Sequence, residues 1–110
     1  LNRSVIYNTT NNYQEALRDI DKYLSFNPYK SSDMWYEKGR LHNQLNSSNK
    51  AIEALNKAIS MQGKGIYYFE RAKAYYNLRN INASKADVAN AQRAGYKVSQ
   101  ELINELSKLQ

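Results

Sequence analysis

The chain has no cysteine, which excludes disulfides, thiolate zinc sites and cysteine nucleophiles. A chain without Cys suits cytosol and periplasm equally, so the compartment stays open. Proline occurs once, at Pro28, and glycine four times, at Gly39, Gly63, Gly65 and Gly95. So few breakers, among so much Ala, Leu, Lys, Gln and Glu, favour helix over sheet. No apolar run approaches the roughly 20 residues of a membrane span. No signal peptide is visible and the chain does not begin with Met, so the expectation is a piece of something longer. Histidine occurs once, at His42, and no H-E-x-x-H, EF-hand loop or metal-ligand cluster is present. Gly63-Lys64-Gly65 lacks the spacing and the Ser/Thr of a phosphate loop. The sequence therefore calls for no metal, no cofactor and no catalytic residue, and the expectation is that the chain is not an enzyme.

What is present is enough for one domain: 110 residues with a formal charge of +6. The basic excess is spread out. Residues 1–31 carry four Lys/Arg against three acids, and residues 32–64 five against three. Residues 65–96 carry five against two, and 97–110 two against two. Without a Lys/Arg cluster, a solvated, mildly basic surface is preferred to a nucleic-acid site. The ten tyrosines read as packing residues more than as a stacking platform for bases.

Internal repetition is the strongest signal. Displaced by 35 residues, Ala16, Leu17, Ile20 and Tyr23 fall on Ala51, Ile52, Leu55 and Ala58, and Pro28 falls on Gly63. Displaced by 33, Trp35, Gly39, His42 and Leu45 fall on Tyr68, Ala72, Tyr75 and Leu78, while Leu55 and Ala58 fall on Val88 and Ala91. The period is thus about 34 residues. Each unit reads as two amphipathic helices. Trp35, Lys38, Gly39 and His42 share one helix face, as do Ala51, Leu55, Ala58 and Ile59. Asn46-Ser47-Ser48-Asn49 is a polar break rich in N-cap residues, and Gly95 stands where a helix C-terminal glycine belongs. Gly39 and Ala72 are expected to let a partner helix approach closely. One hairpin cannot bury its apolar stripe, so neighbours must stack.

This pattern resembles the tetratricopeptide repeat family, with W-x2-L-G-x2-Y in helix A and A-x3-F-x2-A in helix B, then Pro. Unit two supplies Trp35, Gly39, Ala51, Leu55 and Ala58; unit three supplies Tyr68, Ala72, Tyr75, Val88 and Ala91. Unit one supplies Tyr7, Tyr13, Ala16, Ile20, Tyr23 and Pro28. The departures are Lys38 and Arg71 at the usual Leu, His42 at the usual Tyr, Ser48 at an aromatic position and Ser84 at the usual Ala. The resemblance implies an all-α, right-handed α-solenoid of about three antiparallel helical hairpins. The expected single domain covers residues 1–110, with units at approximately 1–31, 32–64 and 65–96 and a capping helix at 98–109. In the cap, Ser99 is the expected N-cap, and Leu102, Ile103, Leu106 and Leu109 form the apolar stripe. Leu1 aligns with the middle of helix A, so unit one is expected to be cut short.

The same resemblance implies a protein–protein interaction scaffold that binds a peptide or partner helix in a concave groove lined by the A helices. The groove positions are Asp33, Tyr36, Glu37, Arg40, Asn43 and Gln44 in unit two, and Ile66, Phe69, Glu70, Lys73, Tyr76 and Asn77 in unit three. The short unit one offers Asn2, Val5, Asn8 and Thr9. Asn and Gln both donate and accept, which suits a peptide backbone, and Tyr36, Phe69 and Tyr76 suit apolar side chains. Glu37/Arg40 and Glu70/Lys73 are expected to be i, i+3 ion pairs. Because Glu37 and Glu70 stand where a chaperone-type carboxylate clamp needs Asn or Arg, no such clamp is expected. Arg3–Asp19 and Arg71–Asp87 are expected to pair within units one and three, with no counterpart in unit two. His42 is expected to pack, not to catalyse. Two other readings remain: RNA or polyanion binding through the basic surface, and self-association around Val5 and Ile6 at the N-terminal end.

Overall fold

The computed structural model describes the backbone of residues 2–27 and 31–108 and the side chains of residues 12–27 and 31–108. Among the described residues six helices follow one another: α1 (Asn2–Phe26), α2 (Ser32–Gln44), α3 (Ser48–Met61), α4 (Gly65–Asn77), α5 (Ile81–Arg93) and α6 (Gln100–Lys108). No strand occurs among the described residues. The architecture is an all-α helical-repeat solenoid, in which α2 packs with α3, α4 with α5, and α3 and α2 both meet α4.

The hairpin turns repeat at the level of single hydrogen bonds. Asn46 and Arg79, 33 residues apart, both take a left-handed backbone, with φ of 59° and 61°. After each, the chain closes on the helix it has just left: Ser47 N–H donates to the His42 carbonyl at 2.8 Å, and Asn80 N–H to the Tyr75 carbonyl at 2.9 Å. Gly95 (φ 89°) does the same after α5, where Tyr96 N–H donates to the Ala91 carbonyl at 3.0 Å. These are Schellman-type ends, which use up carbonyls that the helix leaves free. Ser99 caps α6 as expected: its Oγ accepts the Leu102 N–H at 3.3 Å.

Small residues set the spacing. A Cβ on Gly39 would stand 2.5 Å from Cγ of Leu55, so α2 and α3 touch backbone to side chain there. Leu55, Ala51 and Ala58 are fully buried on α3, and Ala72, Ala74 and Ala91 on α4 and α5. Trp35 packs on Leu17, Ile20, Leu24 and Leu41, filling the gap between α1 and α2. Val88, Ala91, Val98 and Leu106 join α5 to α6. Ser84 replaces the expected Ala without cost, because its buried hydroxyl donates to the Ala72 carbonyl at 2.8 Å across the hairpin.

One expectation is corrected. The first unit was expected to be a hairpin, but α1 runs unbroken from Asn2 to Phe26. Thr9-Thr10-Asn11-Asn12 contains neither Gly nor Pro, and nothing in it stops a helix. Pro28 and Leu109 lie outside the described residues, as do the side chains of Asn2, Arg3, Val5, Ile6, Tyr7, Asn8 and Thr9. The Arg3–Asp19 pair and the self-association patch therefore lie there too.

Candidate functional site

An open cleft of about 400 Å³ lies where α2, α4 and α6 meet. Asn43 and Gln44 come from the end of α2, and Phe69, Lys73, Tyr76 and Asn77 from α4. On α4 these four recur at helical spacing, so they form one stripe along one side of the helix. Glu101, Leu102 and Glu105 supply the third wall from α6, with Ser99 just before it.

Polar contacts hold this stripe in place. Asn43 Nδ2 donates to both the backbone oxygen and the carboxylate of Glu70, each at 3.0 Å. Lys73 Nζ lies 3.0 Å from the same carboxylate and 5.1 Å from the centre of the Phe69 ring. Phe69 leans on Tyr96 with ring centres 5.2 Å apart. The hydroxyl of Tyr76 donates to Glu105 at 3.4 Å. Six of the twelve groove positions thus border one cleft.

Residues 32–64, the stretch from the start of α2 to the loop before α4, match the Tetratricopeptide repeat family model. The TPR repeat-containing protein MJ1428 of Methanocaldococcus jannaschii is 30% identical over 106 residues, or 96% of this chain. The chain carries tetratricopeptide repeats. It spans 17% of that relative's length. No solved structure matches it.

The other six groove positions of these tetratricopeptide repeats are engaged in internal contacts or lie away from the cleft. Asp33 accepts from the Tyr67 hydroxyl and from Lys64 Nζ at 3.2 Å, and these bonds, that of Tyr67 first, hold its carboxyl below the usual carboxylate range. Tyr36 stacks on Tyr67 with ring centres 5.2 Å apart, and burial, then Glu70 and Glu37, push its hydroxyl up to about 12. Glu37 and Arg40 form the expected i, i+3 pair at 2.7 Å. Glu70 pairs with Lys73 as expected, yet Glu70 itself is buried, because Asn43 of the preceding unit covers it. Ile66 is half-buried beside the start of α4 and does not line the cleft.

Sequence reasoning missed two contributors. Tyr67 is fully buried, and its hydroxyl meets Ser32 Oγ at 2.8 Å as well as Asp33. Its place in the repeat corresponds to Met34, so periodicity gave no reason to single it out. The second is α6, read only as a cap, whose acidic side borders the cleft. The Arg71–Asp87 pair is present and bidentate, at 2.7 and 2.8 Å. Unit two has no such pair within itself: Ala54 occupies the place of Asp87, and Lys38 reaches back to Asp21 on α1 at 2.8 Å. His42 is half-buried, and burial, then Lys38 and Lys50, hold its pKa below the usual value. Among the described residues no group of His, Asp or Glu could hold a metal ion, and no helix is long and apolar enough to cross a membrane.

Proposed function

We propose that this chain is a protein-interaction module that takes an extended peptide or partner segment into the cleft between α2, α4 and α6, without catalytic chemistry of its own. Tetratricopeptide repeats generally mediate protein–protein interaction, and the finer reading rests on one observation. The cleft is open, and it is lined by amide side chains (Asn43, Gln44, Asn77) beside aromatic ones (Phe69, Tyr76). Amides match the alternating donors and acceptors of an extended backbone, while rings bury apolar side chains of the guest. A carboxylate clamp is not favoured, because Lys73, the cation in the lining, is already committed to Glu70.

The test is a peptide-binding measurement on the whole chain and on a Gln44→Ala/Tyr76→Ala variant. Both residues border the cleft, and neither belongs to the buried core. The expected outcome is loss of affinity by about tenfold or more with helix content unchanged. Equal affinity for the variant would place binding elsewhere.

A further inference from the structure

The third wall of the cleft gives the guest a chemistry. Glu101 and Glu105 are one helical turn apart on α6, so their carboxylates share the side that borders the cleft. Like charges at this spacing repel each other. Glu105 is only loosely held, by the Tyr76 hydroxyl at 3.4 Å and by the exposed Lys108 at 3.6 Å. Glu101 has no polar side-chain partner among the described residues. On the opposite wall, Asn43 has turned its Nδ2 onto Glu70, and its Oδ1 is buried without a donor among the described residues.

The lining therefore holds two carboxylates with capacity to spare. Its cation, Lys73, is spoken for on the far side. Leu102 and the rings of Phe69 and Tyr76 add apolar surface between these acceptors. A long aliphatic stem ending in a positive, multiply donating head matches that surface. We infer that the cleft selects a Lys or Arg side chain of an extended partner segment, with Glu101 and Glu105 receiving the charge. The net charge of +6 does not oppose this, because screening limits distant charges to about 10 Å at 0.1 M salt, and the lining itself counts two Glu against one Lys.

This inference rests on the groove reading, and the experiment separates the two. An array of twelve-residue random peptides is probed with the whole chain, and the best binders are titrated by fluorescence anisotropy. The expected binders are enriched in Lys or Arg. Replacing that residue by norleucine, or making Glu101→Gln/Glu105→Gln in the chain, weakens binding about fivefold or more, with a loss that shrinks at high salt. Circular dichroism checks that α6 stays helical in the double variant. Binders lacking basic residues, or binders indifferent to the Glu→Gln changes yet lost with Gln44→Ala/Tyr76→Ala, overturn the cation selection and leave the groove standing. Binders indifferent to both variants, or an array without binders, overturn the groove reading and this inference with it.

Discussion

Arg71 touches helices of two repeats at once. Its guanidinium makes a two-pronged contact with the buried Asp87, donates to Asn56 at 2.7 Å, and lies 5.6 and 5.9 Å from the ring centres of Tyr68 and Tyr75. The hydrogen bonds that Arg71 donates to Asp87 raise its pKa even against burial. Removing Asp87 strands that cation in a half-buried place, so Asp87→Ala should cost about 3 kcal/mol in urea denaturation. Lys38 holds the Arg71 position of the preceding repeat but reaches back to the exposed Asp21 on α1, so Asp21→Ala should cost less than about 0.5 kcal/mol. Equal costs would contradict this account. Gly39→Ala is expected to destabilise by about 1–2 kcal/mol: the gain in helix propensity is smaller than the clash with the fully buried Leu55. Arg71–Asp87, Glu37–Arg40 and Glu70–Lys73 were legible in the sequence because charge recurs at matching repeat positions, whereas Lys38–Asp21 was not, because its acid lies on the helix before the repeat. Tyr67 was not, because its partners Ser32 and Asp33 lie more than thirty residues away.

His42 adds a pH dependence at the same scale. Its folded-state pKa is lowered, so the unfolded chain takes up the proton more readily. The stability it contributes is present above about pH 6.5 and is lost as pH falls through the folded value. Thermal melts between about pH 7 and 5 should show falling stability, and His42→Tyr, which copies Tyr75 at the equivalent position, should flatten that slope. A slope unchanged by the substitution would assign the effect to other groups. Asp33 acts lower on the scale: its depressed pKa gives stability that is present above about pH 4 and lost below it.

At the scale of elements, the hairpin turns carry the testable contrast. Asn46 and Arg79 do the same conformational work, but Asn tolerates a left-handed backbone better than Arg. Arg79→Gly should therefore stabilise by about 0.5 kcal/mol, even after losing the exposed contact of Arg79 with the Tyr76 ring at 5.4 Å. Asn46→Gly should change stability less. A lower melting temperature for Arg79→Gly would contradict the assignment of strain. Helices α2 to α5 were legible because caps, small residues and apolar stripes repeat together. The unbroken α1 was not, because the family pattern suggested a turn where the residues themselves supply no stop.

For the whole molecule, the stacking of repeats decides which of the expected groove residues border an open cleft. The family resemblance implied twelve groove positions on α2 and α4. Six of them border the cleft, while Asp33, Tyr36 and the Glu37–Arg40 pair are held by their own neighbours. The rest of the cleft comes from α6, whose apolar stripe predicted a cap but whose acidic side predicted nothing about the groove until the helices were packed. Chemical-shift mapping of the isotope-labelled chain against its best peptide binder shows whether a guest lies in the cleft. The largest shifts are expected at Asn43, Gln44, Phe69, Tyr76 and Asn77, with Glu101 and Glu105 on α6. Shifts confined to α3 and α5, with these residues unmoved, would contradict binding in the cleft.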